Sequence, residues 1–467
     1  MRGSISNNIL RYALDLGTFR VCYVITLLFE MIAFLDVFSL AMRCAVLAWG
    51  VVIFIYNFLI IPRAFQIKYK WLIWLFILVG IITSLVNMSV DFWPNMVFVY
   101  HTCVCMFIFF GMYMERNLEK IESEMIFILK IFVIFAFIFS FFSIVILIFK
   151  AQISIGSYYL GIFGNRLIGV YTNSNLLAFS MVVSIVSCDV LTDRYIRNKC
   201  CRKVFPVWFI NCSRVFSFIS LFLSDSNDSF LFVVIYFTVR MFYNIFSNYN
   251  KFNLLKLIRG SMILIVCAVF MLSVSFFARN ICQKAIGIIL NDVHKVEEPV
   301  SDDNNDILPS KPSINSYIPD IKIGRNSSDV SSGRITLFKQ GLIIFKANPL
   351  IGIGRGNLLR FSEKYIEGGL CFSDLHNSYL TILVSYGTIG FAIFLMFSVC
   401  VAFEVCVFLF QNKNRPSSGV FSKLFAIIIS YCVYALFEKA ILSEITFMVV
   451  FFWYILGFAI SYLYKQD

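Results

Sequence analysis

Three side chains in this sequence combine useful chemistry with an unusual setting. His376, in Asp374-Leu375-His376-Asn377-Ser378-Tyr379, closes a long polar stretch and opens a strongly apolar one. It is one of three histidines in 467 residues. An imidazole titrates near neutral pH and can take a proton from a hydroxyl. Arg334 stands at the start of a periodic segment, where free backbone N–H groups and the helix dipole also favour an anion. Arg166 lies in Gly164-Asn165-Arg166-Leu167-Ile168-Gly169-Val170-Tyr171, an otherwise apolar run flanked by glycine. Guanidinium groups are planar, permanently charged and bidentate, which suits a diphosphate. Each residue also has a plainer reading. Arg166 could snorkel to lipid phosphate, Arg334 could pair with the acidic half of its own loop, and His376 could cap or pack a helix start. His101, inside an apolar run, reads as a buried hydrogen-bonding residue. His294, beside Asp292, Lys295 and Glu297, reads as a solvated one.

The elements that must position these residues are mostly apolar helices. The chain is 60% hydrophobic and 14% charged, against about 25% charged in soluble domains. This is the composition of an all-α, polytopic membrane protein. A span needs about 20 mostly apolar residues. Such windows fall near 18–40, 44–61, 71–89, 94–114, 125–149, 174–192, 204–224, 229–248, 257–278, 379–410, 420–437 and 441–463. Residues 1–278 then carry nine spans, 279–376 form a large polar loop, and 377–467 carry three more. The start, Met1 to Arg20, lacks the apolar core and cleavage site of a signal peptide, so the first span is expected to be retained.

Charge gives the orientation. With Arg2, Arg11 and Arg20 placed in the cytoplasm, alternate connections carry the basic residues, such as Arg194, Arg197, Lys199, Arg202 and Lys203. The opposite short connections carry Asp91, then Asp225 and Asp228, then Glu438 and Glu444. Both ends are therefore expected in the cytoplasm, with the large loop outside. The net charge of +12 is accounted for by these topology signals. No basic stripe interleaved with stacking aromatics argues for nucleic acid.

Within the large loop, residues 297–319 are acidic and proline-rich and are expected to be irregular. Ser331-Ser332 then offers an N-cap, and Ile335, Phe338, Leu342 and Phe345 follow at helical spacing. An amphipathic helix near 334–346, lying on the membrane surface, is expected, ended by Asn348-Pro349. Gly352, Gly354 and Gly356 lack the setting of a dinucleotide fingerprint and read as a flexible turn. The 14 cysteines lie mostly in apolar runs, with no metal-ligand spacing. Cys282 and Cys371, both in the loop, could pair on an oxidising face.

A bacterial export membrane carries polyprenyl-diphosphate-linked sugar, a ligand that suits the two arginines. The motifs also resemble a known family. Arg334-Ile-Thr-Leu-Phe338, Asn348-Pro349-Leu350-Ile351-Gly352-Ile353-Gly354, His376-Asn377-Ser378-Tyr379-Leu380 and Gly387-Thr-Ile-Gly390 are similar to the signature of the O-antigen ligase/O-antigen polymerase superfamily. Arg166-Leu-Ile-Gly169-Val-Tyr-Thr-Asn173-Ser-Asn175 resembles that family's earlier arginine loop. The resemblance implies a GT-C-like membrane glycosyltransferase that needs no metal or cofactor. It would act on the outer face of the bacterial cytoplasmic membrane and invert the anomeric centre. In that picture Arg166 and Arg334 hold a polyprenyl-diphosphate-linked glycan donor, and His376 orients or deprotonates the glycan acceptor. Asn173, Asn175, Arg355, Asn377 and Tyr379 are the expected substrate-binding residues.

Three positions depart from the family's pattern. Ser226-Asn227-Asp228 replaces a Ser-Arg-Gly motif, Phe338 a tryptophan, and Ser385 a glutamate. The expected activity is polymerisation of lipid-linked repeat units into O-antigen, capsule or exopolysaccharide. A chain-length regulator, a flippase and membrane lipid would be its partners. A ligase moving finished glycan to a lipid core or protein is the near alternative. A lipid-linked oligosaccharide transporter and an assembly scaffold are the alternatives of other classes.

Overall fold

The computed structural model describes residues 12–57, 67–115, 117–149, 153–155, 158–163, 165–200, 205–247, 254–295, 333–370, 374–411, 417–442 and 444–464. The expected acidic stretch 297–319, the Ser331-Ser332 cap and Cys371 lie outside these residues, as does the side chain of His294.

The helices of the first half are α1 (Leu16–Phe29), α2 (Asp36–Ile55), α3 (Lys70–Val86), α4 (Met88–Cys103) and α5 (Leu118–Ile148). A π-helical turn, Val104–Phe109, and a 3-10 turn, Phe110–Met114, prolong α4. Strands β1 (Ile153–Ile155), β2 (Tyr158–Phe163) and β3 (Arg166–Gly169) follow. Then come α6 (Ser174–Leu191), α7 (Arg194–Cys200), α8 (Val207–Ser224), α9 (Asn227–Ser247), α10 (Leu254–Lys295), α11 (Arg334–Phe345), α12 (Leu358–Tyr365), α13 (Ser378–Gln411), α14 (Ser418–Tyr434) and α15 (Phe447–Tyr464). Among the described residues, nine helices are long and apolar enough to cross a membrane. The helices α1, α3 and α14 are apolar but shorter. Each apolar window of the sequence falls on one of these twelve helices.

Burial sorts the helices. In α15, 89% of the apolar window is buried, while in α10 none is. A helix that is apolar all round belongs in the interior of a bundle, and one that stays exposed meets lipid. Between α6 and α8 the seam is lined with small hydroxyl residues. Ser184, Ser213, Ser217 and Ser220 are all fully buried, and Ser217 donates to Ser184 at 2.9 Å. Small side chains let helix backbones approach closely where no hydrophobic effect drives association.

One charged cluster sits in the middle of this packing. Arg20 of α1 is 0% exposed. Its Nε and Nη2 donate to the two oxygens of Glu124 on α5 at 2.8 and 2.7 Å. Its Nη1 pairs with Glu115 and donates to the Ile108 carbonyl, in the π-helical turn, at 3.3 Å. Tyr454 of α15 donates to Glu124 at 2.8 Å. A buried ion pair persists when its remaining hydrogen bonds are satisfied, as they are here.

Several boundaries differ from the sequence reading. The helix expected to end at 278 runs on to Lys295. Arg279 does not break it, because Asp225 and Asn227 receive its guanidinium at 3.2 and 2.8 Å. The last two helices are joined by residues 435–446 rather than by three residues. Leu436, Ile441 and Leu442 add apolarity to the windows, but they belong to a wound connection and not to the helices. The three strands form a small antiparallel sheet of order β1-β2-β3, with a bulge at Gly161/Ile162.

The helix α11 packs a narrow face against its neighbours. Leu337, Gly341 and Ile344 are buried, whereas Ile335 and Leu342 are exposed. A Cβ on Gly341 would meet Leu380 of α13 at 2.8 Å, so glycine here sets a close helix approach.

The glycine turn after Pro349 is pinned, where flexibility was expected. At Gly387, α13 leaves helical geometry (φ 65°, ψ −174°). The break frees two carbonyls, which accept from the turn: Ile353 N–H to Val384 at 3.1 Å and Gly354 N–H to Ser385 at 2.9 Å. It also frees two N–H groups, which donate to the turn: Thr388 to Pro349 at 2.8 Å and Ile389 to Leu350 at 3.2 Å. The turn thus repairs the backbone hydrogen bonds that a broken helix would leave unmet in an apolar setting.

Candidate active site

His376 sits just ahead of α13 in a left-handed conformation (φ 43°). That bend is held from both sides. Asp374 Oδ1 accepts the His376 N–H at 2.8 Å, and Asn377 Oδ1 caps α13 through the Leu380 N–H at 2.9 Å. Ser378 anchors the helix start to the connection between α14 and α15. Its hydroxyl donates to the Glu438 carbonyl at 2.8 Å and accepts from the Ala440 N–H at 2.7 Å. These bonds carry Glu438 to the imidazole, where its Oε2 lies 3.2 Å from His376 Nδ1.

Glu438 is shared with the arginine side of the site. Its Oε1 accepts from Arg334 Nη2 at 3.3 Å and from Asn175 Nδ2 at 3.1 Å. Arg334 also pairs with Asp228, in the first turn of α9. Asn175 Oδ1 accepts from Arg166 Nη2 at 2.7 Å, and Arg166 Nε donates to the Ser224 carbonyl, at the end of α8, at 2.8 Å. Asn165, with φ 60°, makes the turn that starts β3 at Arg166. The sheet therefore delivers Arg166, and the first turns of α6, α9 and α11 deliver Asn175, Asp228 and Arg334.

A second ionic chain leads away from the histidine. Asp374 pairs with Lys439 at 2.8 Å, Lys439 with Glu444 at 3.7 Å, and Glu444 accepts from Arg355 Nε at 2.9 Å. The Arg355 guanidinium lies 5.5 Å from the ring centre of Phe98. Burial would lower the His376 pKa. The hydrogen bond to Glu438 and the charges of Glu438 and Asp374 outweigh burial and the opposing Arg334, so the net shift is upward. Burial would raise the Asp374 carboxyl. Lys439 and His376 outweigh it and hold Asp374 below its ordinary value.

Of the residues expected from sequence, His376, Arg334, Arg166 and Asn175 come together around Glu438. Arg355 joins them through the second chain. Asn173 caps α6 through the Leu176 N–H at 2.9 Å. Asn377 also donates to the Leu436 carbonyl at 3.0 Å, and Tyr379 to the Cys432 carbonyl at 2.8 Å. These last three hold helix ends. His101 is buried and shares a 2.7 Å hydrogen bond with Tyr23, as its apolar surroundings implied. Sequence reasoning counted Glu438 only as a topology signal, and Asp228 as that and as part of a departure from the family's motif. The available signal was an acid placed between two apolar runs, on the side expected to hold the histidine. Among the described residues no group of three or more His, Cys, Asp or Glu side chains is arranged to hold a metal ion.

Helices of this length and apolarity, with His376, Arg334 and Arg166 gathered at helix ends, define a multi-pass, mostly helical membrane protein. Residues 213–395, which carry Arg334 and His376, match the family described as O-antigen ligase, a likeness that supports the O-antigen ligase/polymerase superfamily. Members of that family are membrane glycosyltransferase-like enzymes acting on lipid-linked glycans. A search of curated proteins finds no match to the chain.

Proposed function

We infer that the protein polymerises polyprenyl-diphosphate-linked repeat units into a surface polysaccharide, by metal-independent, inverting glycosyl transfer. The observation that carries this reading is the meeting of His376 with Arg334 across Glu438, and with Arg166 through Asn175. The site would face the outside of the bacterial cytoplasmic membrane, with both chain ends in the cytoplasm. The donor glycan, the acceptor glycan and lipid are its partners, and a chain-length regulator and a flippase would act alongside it.

The chemistry follows from the residues. The acceptor hydroxyl oxygen attacks the anomeric carbon and forms the new glycosidic bond. The bond from that carbon to the diphosphate oxygen breaks, and the electron pair leaves with the diphosphate. The hydroxyl proton passes to His376. Arg166 and Arg334 offset the charge that develops on the leaving group, aided by the dipoles of α6, α9 and α11, whose first turns lie at the site. One displacement inverts the anomeric centre.

The test is the glycan banding of a deletion strain complemented with wild type, His376→Ala or Arg334→Ala at matched protein levels. A ladder with wild type and a single repeat unit with either variant supports a polymerase. The family description favours a second reading, a ligase. Long chains that accumulate on the polyprenyl carrier in the variants would support it. Unchanged banding in both variants would remove the catalytic reading altogether.

A further inference from the structure

Glu438 is 4% exposed in its side chain, and it faces both halves of the site. A buried carboxylate is tolerated only when its oxygens are satisfied. Here Oε2 is used on the base and Oε1 on Arg334 and Asn175. A counterion for Arg334 alone would be redundant, because Asp228 already pairs with that guanidinium. The other carboxylate near the imidazole is differently engaged. Asp374 takes the His376 backbone N–H and Lys439, and its oxygen is 3.6 Å from Nδ1, beyond hydrogen-bond reach.

We propose that Glu438 is the positioning residue of this site, a single carboxylate that fixes the imidazole in its Nδ1–H form and sets the spacing between base and cations. This inference rests on the reading of His376 as the base. A neutral histidine whose Nδ1–H is held by a carboxylate carries its lone pair on Nε2, the nitrogen that would then meet the acceptor hydroxyl. The same carboxylate stabilises the imidazolium that forms once the proton arrives. The charged groups facing His376 are Glu438 and Asp374, opposed by Arg334, with Lys439 behind Asp374. Replacing Glu438 by a neutral group removes the larger part of the attraction that raises the proton affinity of the imidazole and leaves only Asp374 to oppose Arg334.

The test uses 15N-histidine-labelled full-length protein in lipid nanodiscs. With three histidines in the chain, the His376 signals are identified by their loss in His376→Gln. The wild-type spectrum alone is decisive on one point: the neutral form must be the Nδ1–H tautomer, and an Nε2–H tautomer overturns the proposal. In Glu438→Gln the titration midpoint of His376 must fall. An unchanged midpoint in a variant that unfolds at the wild-type temperature also overturns it. In transfer assays with a lipid-linked glycan, Glu438→Gln should lose roughly 10²–10⁴-fold in kcat. Its activity should extend to lower pH than that of wild type, a change that simple loosening of the fold would not produce. If the spectra behave as stated but His376→Gln transfers glycan at the wild-type rate, the positioning stands and the reading of His376 as base falls.

Discussion

At the residue scale, the site pairs one titrating group with two that never lose their charge. In the proposed mechanism His376 works as neutral imidazole, and its neighbours raise its proton affinity. Transfer should therefore increase with pH through a limb lying above the ordinary histidine value of about 6.5. A rate–pH profile on a lipid-linked substrate checks this, and a limb below that value would contradict the electrostatics described. The arginines should not be exchangeable for lysine. Arg334→Lys keeps the charge but gives up the planar fork, and is expected to lose roughly 10²–10³-fold in rate. The same assay, with Arg334→Ala as the lower bound, measures it. His376, Arg334 and Arg166 could be found from sequence because each carries an unusual group in a recognisable local pattern. Glu438 could not, because its meaning depends on partners 62 and 104 residues away.

At the element scale, the site depends on a helix that is broken and then repaired. The pinned turn touches α13 backbone to backbone. A Cβ on Gly387 would run into the Leu350 carbonyl, and one on Gly352 into that of Ser385. Both glycines also hold positive φ, at 65° and 83°. Gly387→Ala is therefore expected to destabilise the protein by about 1–3 kcal/mol from backbone strain, with further loss as the turn is displaced. Thermal unfolding in detergent reads the first effect, and reduced transfer at low temperature reads the second. The run Gly352, Gly354, Gly356 was visible in the sequence, but its partner was not. Hydropathy treats residues 379–410 as one continuous window, and two glycines in 32 residues hardly change its mean. The face that α11 packs against α13 was not legible for a related reason. Counting large apolar residues overlooked Gly341, whose missing side chain is what lets the helix approach α13.

At the scale of the whole molecule, the apolar windows located the helices, and the alternation of charges gave a consistent expected topology. Neither could show which helix lies inside. The Arg20 cluster illustrates the difficulty, since in sequence it is one more basic residue near the start of a span. In the fold it joins α1, α5 and α15. Arg20→Met should cost about 3–5 kcal/mol, because it leaves Glu124 buried, and Glu115 half-buried, without this cation. Adding Glu124→Gln should recover part of that loss. Unfolding midpoints of the single and double variants test both statements.

The deep burial of α15 bears on how the protein is made. This helix is synthesised after the other fourteen described helices, yet its flanks are in contact with the π-helical turn, α5 and α14. The earlier helices must enter the membrane and hold a gap for it, exposing polar groups such as Glu124 until Tyr454 arrives. A nascent chain stalled before residue 447 would resemble a barrel with a missing stave, and quality-control proteases would have ready access to its seam.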